Sequence, residues 1–132
     1  MIGLDTNILL RIVLQDDAEQ SKKVSRFLER LETEGPGYIN CISLMEFARF
    51  LRHRLRVERA EVASAIGDLL ESHDLIVEDE HLVEEALALM LDNPIEFADC
   101  FIALRNRQAG CDKTVTFDKK AATRVPGMEL LA

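Results

Sequence analysis

Apolar residues in this chain occur either in short continuous runs or at three- and four-residue intervals among charges. Residues 1–4 form an apolar run that stops at Asp5-Thr6-Asn7, so a strand is expected there. Ile8-Leu9-Leu10-Arg11-Ile12-Val13-Leu14 then reads as a short buried helix. Residues 17–34 place Ala18, Val24, Phe27, Leu28 and Leu31 at helical spacing, and Gly35-Pro36-Gly37 ends that helix. The pattern predicts a strand over 38–42, a helix from 43 to about 55, another over about 58–71 and a third strand at Leu75-Ile76-Val77. Helices over 79–91 and 96–108 are separated by Asn93-Pro94, and Gly110 closes the second. Residues 114–117 read as a fourth strand, Asp118 as the start of a short helix, and 128–131 as a terminal strand.

Short strands alternating with helices imply a parallel sheet covered by its crossover connections, so the fold class is α/β. With 132 residues, 48 % of them hydrophobic, one domain over 1–132 is expected. Aromatic residues make up 5 % and Trp is absent, so aliphatic packing must dominate the core, and an aromatic platform for base stacking is not expected. Cys41, Cys100 and Cys111 are odd in number and far apart, unlike a disulfide framework, which points to a reducing cytoplasm. The apolar start is broken at once by Asp5, Asn7 and Arg11, and no apolar run reaches membrane-spanning length, so neither a signal peptide nor a membrane segment is expected.

The net charge is −8, which weighs against a phosphate-rich partner because basic surface supplies most non-specific nucleic-acid affinity. Assigning four of those charges to a metal site leaves half that excess, and bound divalent ions would offset the site itself. Charge distribution then matters more than the total.

In open parallel sheets, ligands bind beyond the carboxyl ends of the strands, where the strand order reverses. Asp5 follows the first strand directly and Asp118 the fourth. Each has a competing reading as the N-cap of the helix it precedes. Asp99 lies in Phe97-Ala98-Asp99-Cys100-Phe101-Ile102-Ala103-Leu104, apolar on nearly every side, so its carboxylate is expected to be partly buried and to need a partner. Its competing reading is placement in a first helical turn, where the dipole favours an acid. Glu46 has the strongest alternative, since Ser43-x-x-Glu46 matches a capping box. On a helical projection Leu44, Phe47, Ala48, Leu51 and Leu55 form the apolar stripe, with Glu46 opposite. Arg49, His53 and Arg56 continue the Glu46 side at steps of three and four, a row along which a phosphodiester backbone could lie. The alternative for these and for Arg52, Arg54 and Arg59 is a solvated face or a contact for an acidic partner.

The order of these motifs resembles the PIN domain, and specifically the VapC-type toxin ribonucleases of bacterial and archaeal toxin–antitoxin pairs. Its carriers are Leu4-Asp5-Thr6-Asn7, Ser43-Leu44-Met45-Glu46, Ala98-Asp99-Cys100 and Thr116-Phe117-Asp118, spread over nearly the whole chain. The resemblance implies a five-stranded parallel sheet of order 3-2-1-4-5 flanked by helices on both faces. It further implies that Asp5, Glu46, Asp99 and Asp118 converge at its carboxyl edge, with Thr6, Asn7 and Thr116 as polar support. Four like charges in one pocket repel, and a divalent cation resolves this. Oxygen ligands without a Cys/His ligand spacing favour Mg²⁺ or Mn²⁺ over Zn²⁺, with Asp5 and Asp99 as principal ligands. The three histidines, His53, His73 and His81, are expected at the surface.

The activity implied is metal-dependent hydrolysis of RNA phosphodiester bonds by an activated water. The partners implied are a cognate antitoxin lying in an apolar groove and a second copy of the chain. Ile8, Leu9, Ile12 and Val13 with Phe47 or Phe50 could line the groove, or be ordinary core. The helix over 82–91 could serve the homodimer or cover the sheet. Four rivals stand against this reading. A phosphoacceptor receiver domain would need adjacent acids after the first strand, and a phosphatase with an Asp nucleophile would need Asp-x-Asp where residue 7 is Asn. A binding or scaffold protein of the same architecture without turnover, or a housekeeping RNA-processing nuclease, would share the fold.

Overall fold

Every predicted strand and helix has a counterpart in the computed structural model, which describes residues 1–132. The strands are short: β1 Ile2–Gly3, β2 Gly37–Ile39, β3 Leu75–Val77, β4 Thr114–Thr116 and β5 Met128–Leu130. The helices are α1 Thr6–Val13, α2 Ala18–Glu34, α3 Cys41–Arg49, α4 Arg59–Glu71, α5 Glu80–Asp92, α6 Phe97–Gln108 and α7 Lys119–Arg124. A π-helical turn, Phe50–Arg54, continues α3. No helix is long and apolar enough to cross a membrane.

All strand pairs are parallel, β1 with β2, β2 with β3, and β4 with β5. The expected single five-stranded sheet of order 3-2-1-4-5 is not formed: the strands make a 3-2-1 sheet and a separate 4-5 pair, with no ladder between β1 and β4. Strand β1 has only two residues, and Ile2 and Leu4 donate their N–H groups to Pro36 and Tyr38 on the β2 side. Little backbone is left to template a second neighbour.

Local chemistry explains several boundaries. Asn40 ends β2 and caps α3, its side chain accepting from the Ser43 N–H at 2.8 Å. The helix therefore opens at Cys41 and not at Ser43, which shortens β2 and places Ser43 inside the first turn. Gly35 ends α2 with φ +104°, a conformation that L side chains rarely adopt. Two residues on, a Cβ at Gly37 would come within 2.9 Å of the Leu75 side chain, which would have to shift to admit it.

A continuous core gathers side chains from nearly every element, including Leu9 of α1, Ile39 of β2, Phe47 of α3, Ile66 of α4, Val83 of α5 and Cys100 of α6. Leu44, Phe47, Ala48 and Leu51 are buried as the projection predicts, but Leu55 is 43 % exposed. The π-turn inserts one extra residue per turn, so the stripe loses its phase after Leu51. Leu9 and Phe47 are core rather than groove, whereas Ile12 and Val13 reach a surface groove of about 400 Å³ between α1, α2 and α4. On α5, Leu82, Val83 and Ala86 are buried against the body of the protein, and Leu91 is exposed.

Candidate active site

Because β1 and β4 each run out into a helix, the first polar residues beyond them stand at the carboxyl ends of strands. Asp5 occupies the N-cap position of α1 with extended backbone, yet its carboxylate makes no capping hydrogen bond. Asp5 is exposed, as is Asn7 in the first turn of α1, and neither side chain makes a hydrogen bond within the protein. Asp118 does cap α7, accepting from the Ala121 N–H at 3.0 Å. Its own N–H donates to Thr116 Oγ1 at 3.0 Å, so Thr116 orients the turn that carries Asp118.

The capping-box reading of Glu46 does not hold. With Asn40 as the cap, Glu46 lies in the middle of α3, and its exposed carboxylate accepts from Thr6 Oγ1 at 3.3 Å. That bond crosses between elements and brings the polar residue after Asp5 against Glu46. Residues Glu46 and Arg49 also line a groove of about 550 Å³ shared with α6, whose apolar wall includes Ile42, Met45, Phe101 and Ile102.

Asp99 sits in the first turn of α6, half-buried between the buried Ala98 and Cys100. Burial holds its carboxyl above the usual carboxylate range, and the charges of Asp118 and Glu96 push it further up. Arg49 and His53 act in the opposite sense. Asp99 and Asp118 thus share one electrostatic neighbourhood, faced by two basic side chains from α3 and the π-turn. Arg56 does not join them: the helix has ended by then, and Arg56 adopts φ +56° in the exposed connection to α4. The chain's three histidines are all exposed, His53 among them.

Glu96 is the member of this neighbourhood that the sequence reading passes over. It precedes Asp99 by three residues, the interval at which side chains on a helix become neighbours, and that spacing was its available signal. Cys41 illustrates a different local effect. Its thiol is pushed up to about 12 by burial and by Glu78, whose carbonyl accepts from Sγ at 3.3 Å. Such a thiol is a poor nucleophile and a poor metal ligand at neutral pH.

The four acids arrive from four separate segments, two of them just past strands. A PIN domain model matches residues 2–127. The chain belongs to the PIN domain family. It is also 25 % identical over 118 residues to a VapC ribonuclease of Aquifex aeolicus (strain VF5), an alignment covering 89 % of this chain and 87 % of that protein.

No three His, Cys, Asp or Glu side chains stand close enough together to hold one ion as they are placed. The donor chemistry nevertheless fits a hard divalent cation. Asp99, Asp118 and Glu46 offer carboxylate oxygens, and the Asp99 carboxyl, raised first by burial and then by the charges of Asp118 and Glu96, is one whose ionised form a cation would favour.

Proposed function

We propose that this PIN domain, extending over 1–132, is a metal-dependent endoribonuclease acting as the toxin of a toxin–antitoxin pair in the cytoplasm. The observation that carries the reading is the half-buried Asp99, crowded by Asp118 and Glu96 and opposed by Arg49 and His53. Membership of the PIN family and the likeness to a VapC ribonuclease support it.

In this reading Asp5 and Asp99 are the principal ligands of Mg²⁺ or Mn²⁺, with Glu46 and Asp118 completing or orienting the site. When bound, the metal supplies Lewis acidity toward phosphate and lowers the pKa of water. The remaining steps belong to the chain. Thr6 holds the Glu46 carboxylate in one orientation through its hydroxyl. Thr116 fixes the backbone at Asp118, and Asn7 offers an unengaged amide beside Asp5. Arg49 and His53 present positive charge beside Asp99, suited to the anionic oxygens of an RNA phosphodiester. Attack by water opens the P–O bond without a covalent enzyme intermediate.

The same reading assigns the groove of about 400 Å³ lined by Ile12, Val13, Leu28, Ala65 and Leu69 to a segment of a cognate antitoxin. Glu61 and Asp68 stand on its wall and would suit basic residues in that segment. A homodimer completes the assembly.

Cleavage of RNA by the purified chain with Mg²⁺ or Mn²⁺, compared with EDTA and with Asp5→Asn and Asp99→Asn, tests the site. Activity is expected only with metal and is expected to be lost in both variants; full activity in them overturns the assignment. Growth arrest on expression that disappears with Asp99→Asn, and is relieved by the product of a neighbouring small gene, identifies a toxin. Equal arrest by both forms points away from nuclease action.

A further inference from the structure

Glu96 occupies the N-cap position of α6, but its side chain does not cap that helix. It reaches instead toward the π-turn. Arg52 Nε lies 3.1 and 3.0 Å from its two carboxylate oxygens, and Arg59 Nη1 lies 3.6 Å from one of them. Arg52 also donates from Nη1 to the Val57 carbonyl at 3.3 Å. Residue 57 directly follows Arg56, whose left-handed backbone is uncommon for a residue with a side chain and persists only where surrounding contacts over-determine it. One guanidinium therefore joins the π-turn, its strained exit and the start of α6.

Of the two groups that this guanidinium touches, Glu96 also bears on Asp99. Arg49 lies three residues before Arg52 and His53 lies next to it, and both act on the Asp99 carboxylate. Asp99 in turn lies three residues beyond Glu96. Only about 20 Å³ of open space lies among Arg49, Arg52, His53, Arg59, Glu96 and Phe97, too little for a ligand. The network is therefore a packed brace between two elements.

We propose that Arg52 is a positioning residue: through Glu96 it sets the separation between the Arg49 and His53 side chains and the Asp99 carboxylate, and turnover depends on that separation. This rests on the nuclease reading above. A partly exposed ion pair is worth little to stability on its own, so an ordinary structural bridge and a positioning brace predict different outcomes.

The test compares Arg52→Met, Glu96→Gln, their double variant and Arg52→Lys with the wild-type chain, using a fluorescent random-sequence single-stranded RNA and Mg²⁺. For Arg52→Met and Glu96→Gln, kcat is expected to fall about tenfold to a hundredfold, the range found when groups supporting a metal site are removed. KM and the melting temperature should change little. The double variant should lose no more than either single one, because both remove the same link. Arg52→Lys should recover part of the rate, since it keeps the charge but not the fork. In NMR spectra the His53 ring resonances should move in Arg52→Met while those of His73 and His81 stay in place. Wild-type kcat in Arg52→Met overturns the proposal, as does a loss that tracks melting temperature with the His53 resonances unmoved. If the wild-type chain cleaves no RNA, the nuclease reading fails by itself. The His53 resonances still decide whether Arg52 sets that spacing: movement supports it and stillness overturns it.

Discussion

The Thr6 hydroxyl donates to the Glu46 carboxylate at 3.3 Å, joining the first turn of α1 to the middle of α3 across forty residues of sequence. Thr6→Val keeps the shape and removes the donor. Stability should stay within about 0.5 kcal/mol of wild type, as expected for a surface substitution. RNA cleavage should fall about tenfold, the lower end of the effect of removing a group that orients a metal-site carboxylate. A chain that cleaves at the wild-type rate after Thr6→Val would separate Glu46 orientation from catalysis.

Asp99 makes an opposite pair of predictions with and without metal. Its folded-state pKa is raised, so the carboxyl favours folding while protonated, and that contribution is lost as pH rises through the folded value. In EDTA at neutral pH, Asp99→Asn should therefore melt a few degrees above wild type. The difference should vanish when the pH drops below the ordinary carboxylate range. With Mg²⁺ present, wild type should gain stability and Asp99→Asn should gain much less. Thermal melts across pH with and without Mg²⁺ would reveal both signs.

Thiol chemistry should single out one cysteine. Cys111 is exposed, whereas Cys100 is buried with its thiol pushed up to about 11 and Cys41 to about 12. At pH 8, iodoacetamide should modify one residue of the native chain quickly, with peptide mapping placing it at Cys111, and all three after unfolding. Rapid labelling of Cys41 would mean that its contact with the Glu78 carbonyl does not persist in solution.

The core prediction concerns Phe47, which is fully buried beneath α3. Phe47→Ala should destabilise the chain by about 3–5 kcal/mol in denaturant titration. Asn40→Ala removes the cap of the same helix and should cost about 1 kcal/mol. A larger effect for Asn40 than for Phe47 would contradict the packing described.

Strand and helix order was legible because the apolar runs and Gly-Pro punctuation carry it directly, and the same runs placed Asp5 and Asp118 just past strands. The side of α3 that presents Glu46 was legible too, as far as Leu51. Beyond it the sequence Phe50-Leu51-Arg52-His53-Arg54 has nothing to mark a π-turn, and the Arg52 contact with Glu96 that accompanies it joins residues far apart in sequence. Arg56 falls outside the row that helical spacing assigns to it because the helix ends at Arg54 and Arg56 turns to positive φ. The opening of α3 was ambiguous because Asn40 and Ser43 are both good caps. Tertiary context decided for Asn40, where β2 has just ended. For Glu96 the spacing to Asp99 was legible, but its link to Arg52 spans 44 residues and lies beyond any local pattern.

Asp5 and Asp118 belong to two pieces of sheet with no ladder between them. On the Asp118 side the connection to the rest of the molecule includes Ala121 and Val125, buried in the shared apolar core. Side-chain packing is less directional than a row of backbone hydrogen bonds. The step from the Asp5 side to the Asp118 side therefore rests on side-chain packing and not on a shared strand ladder.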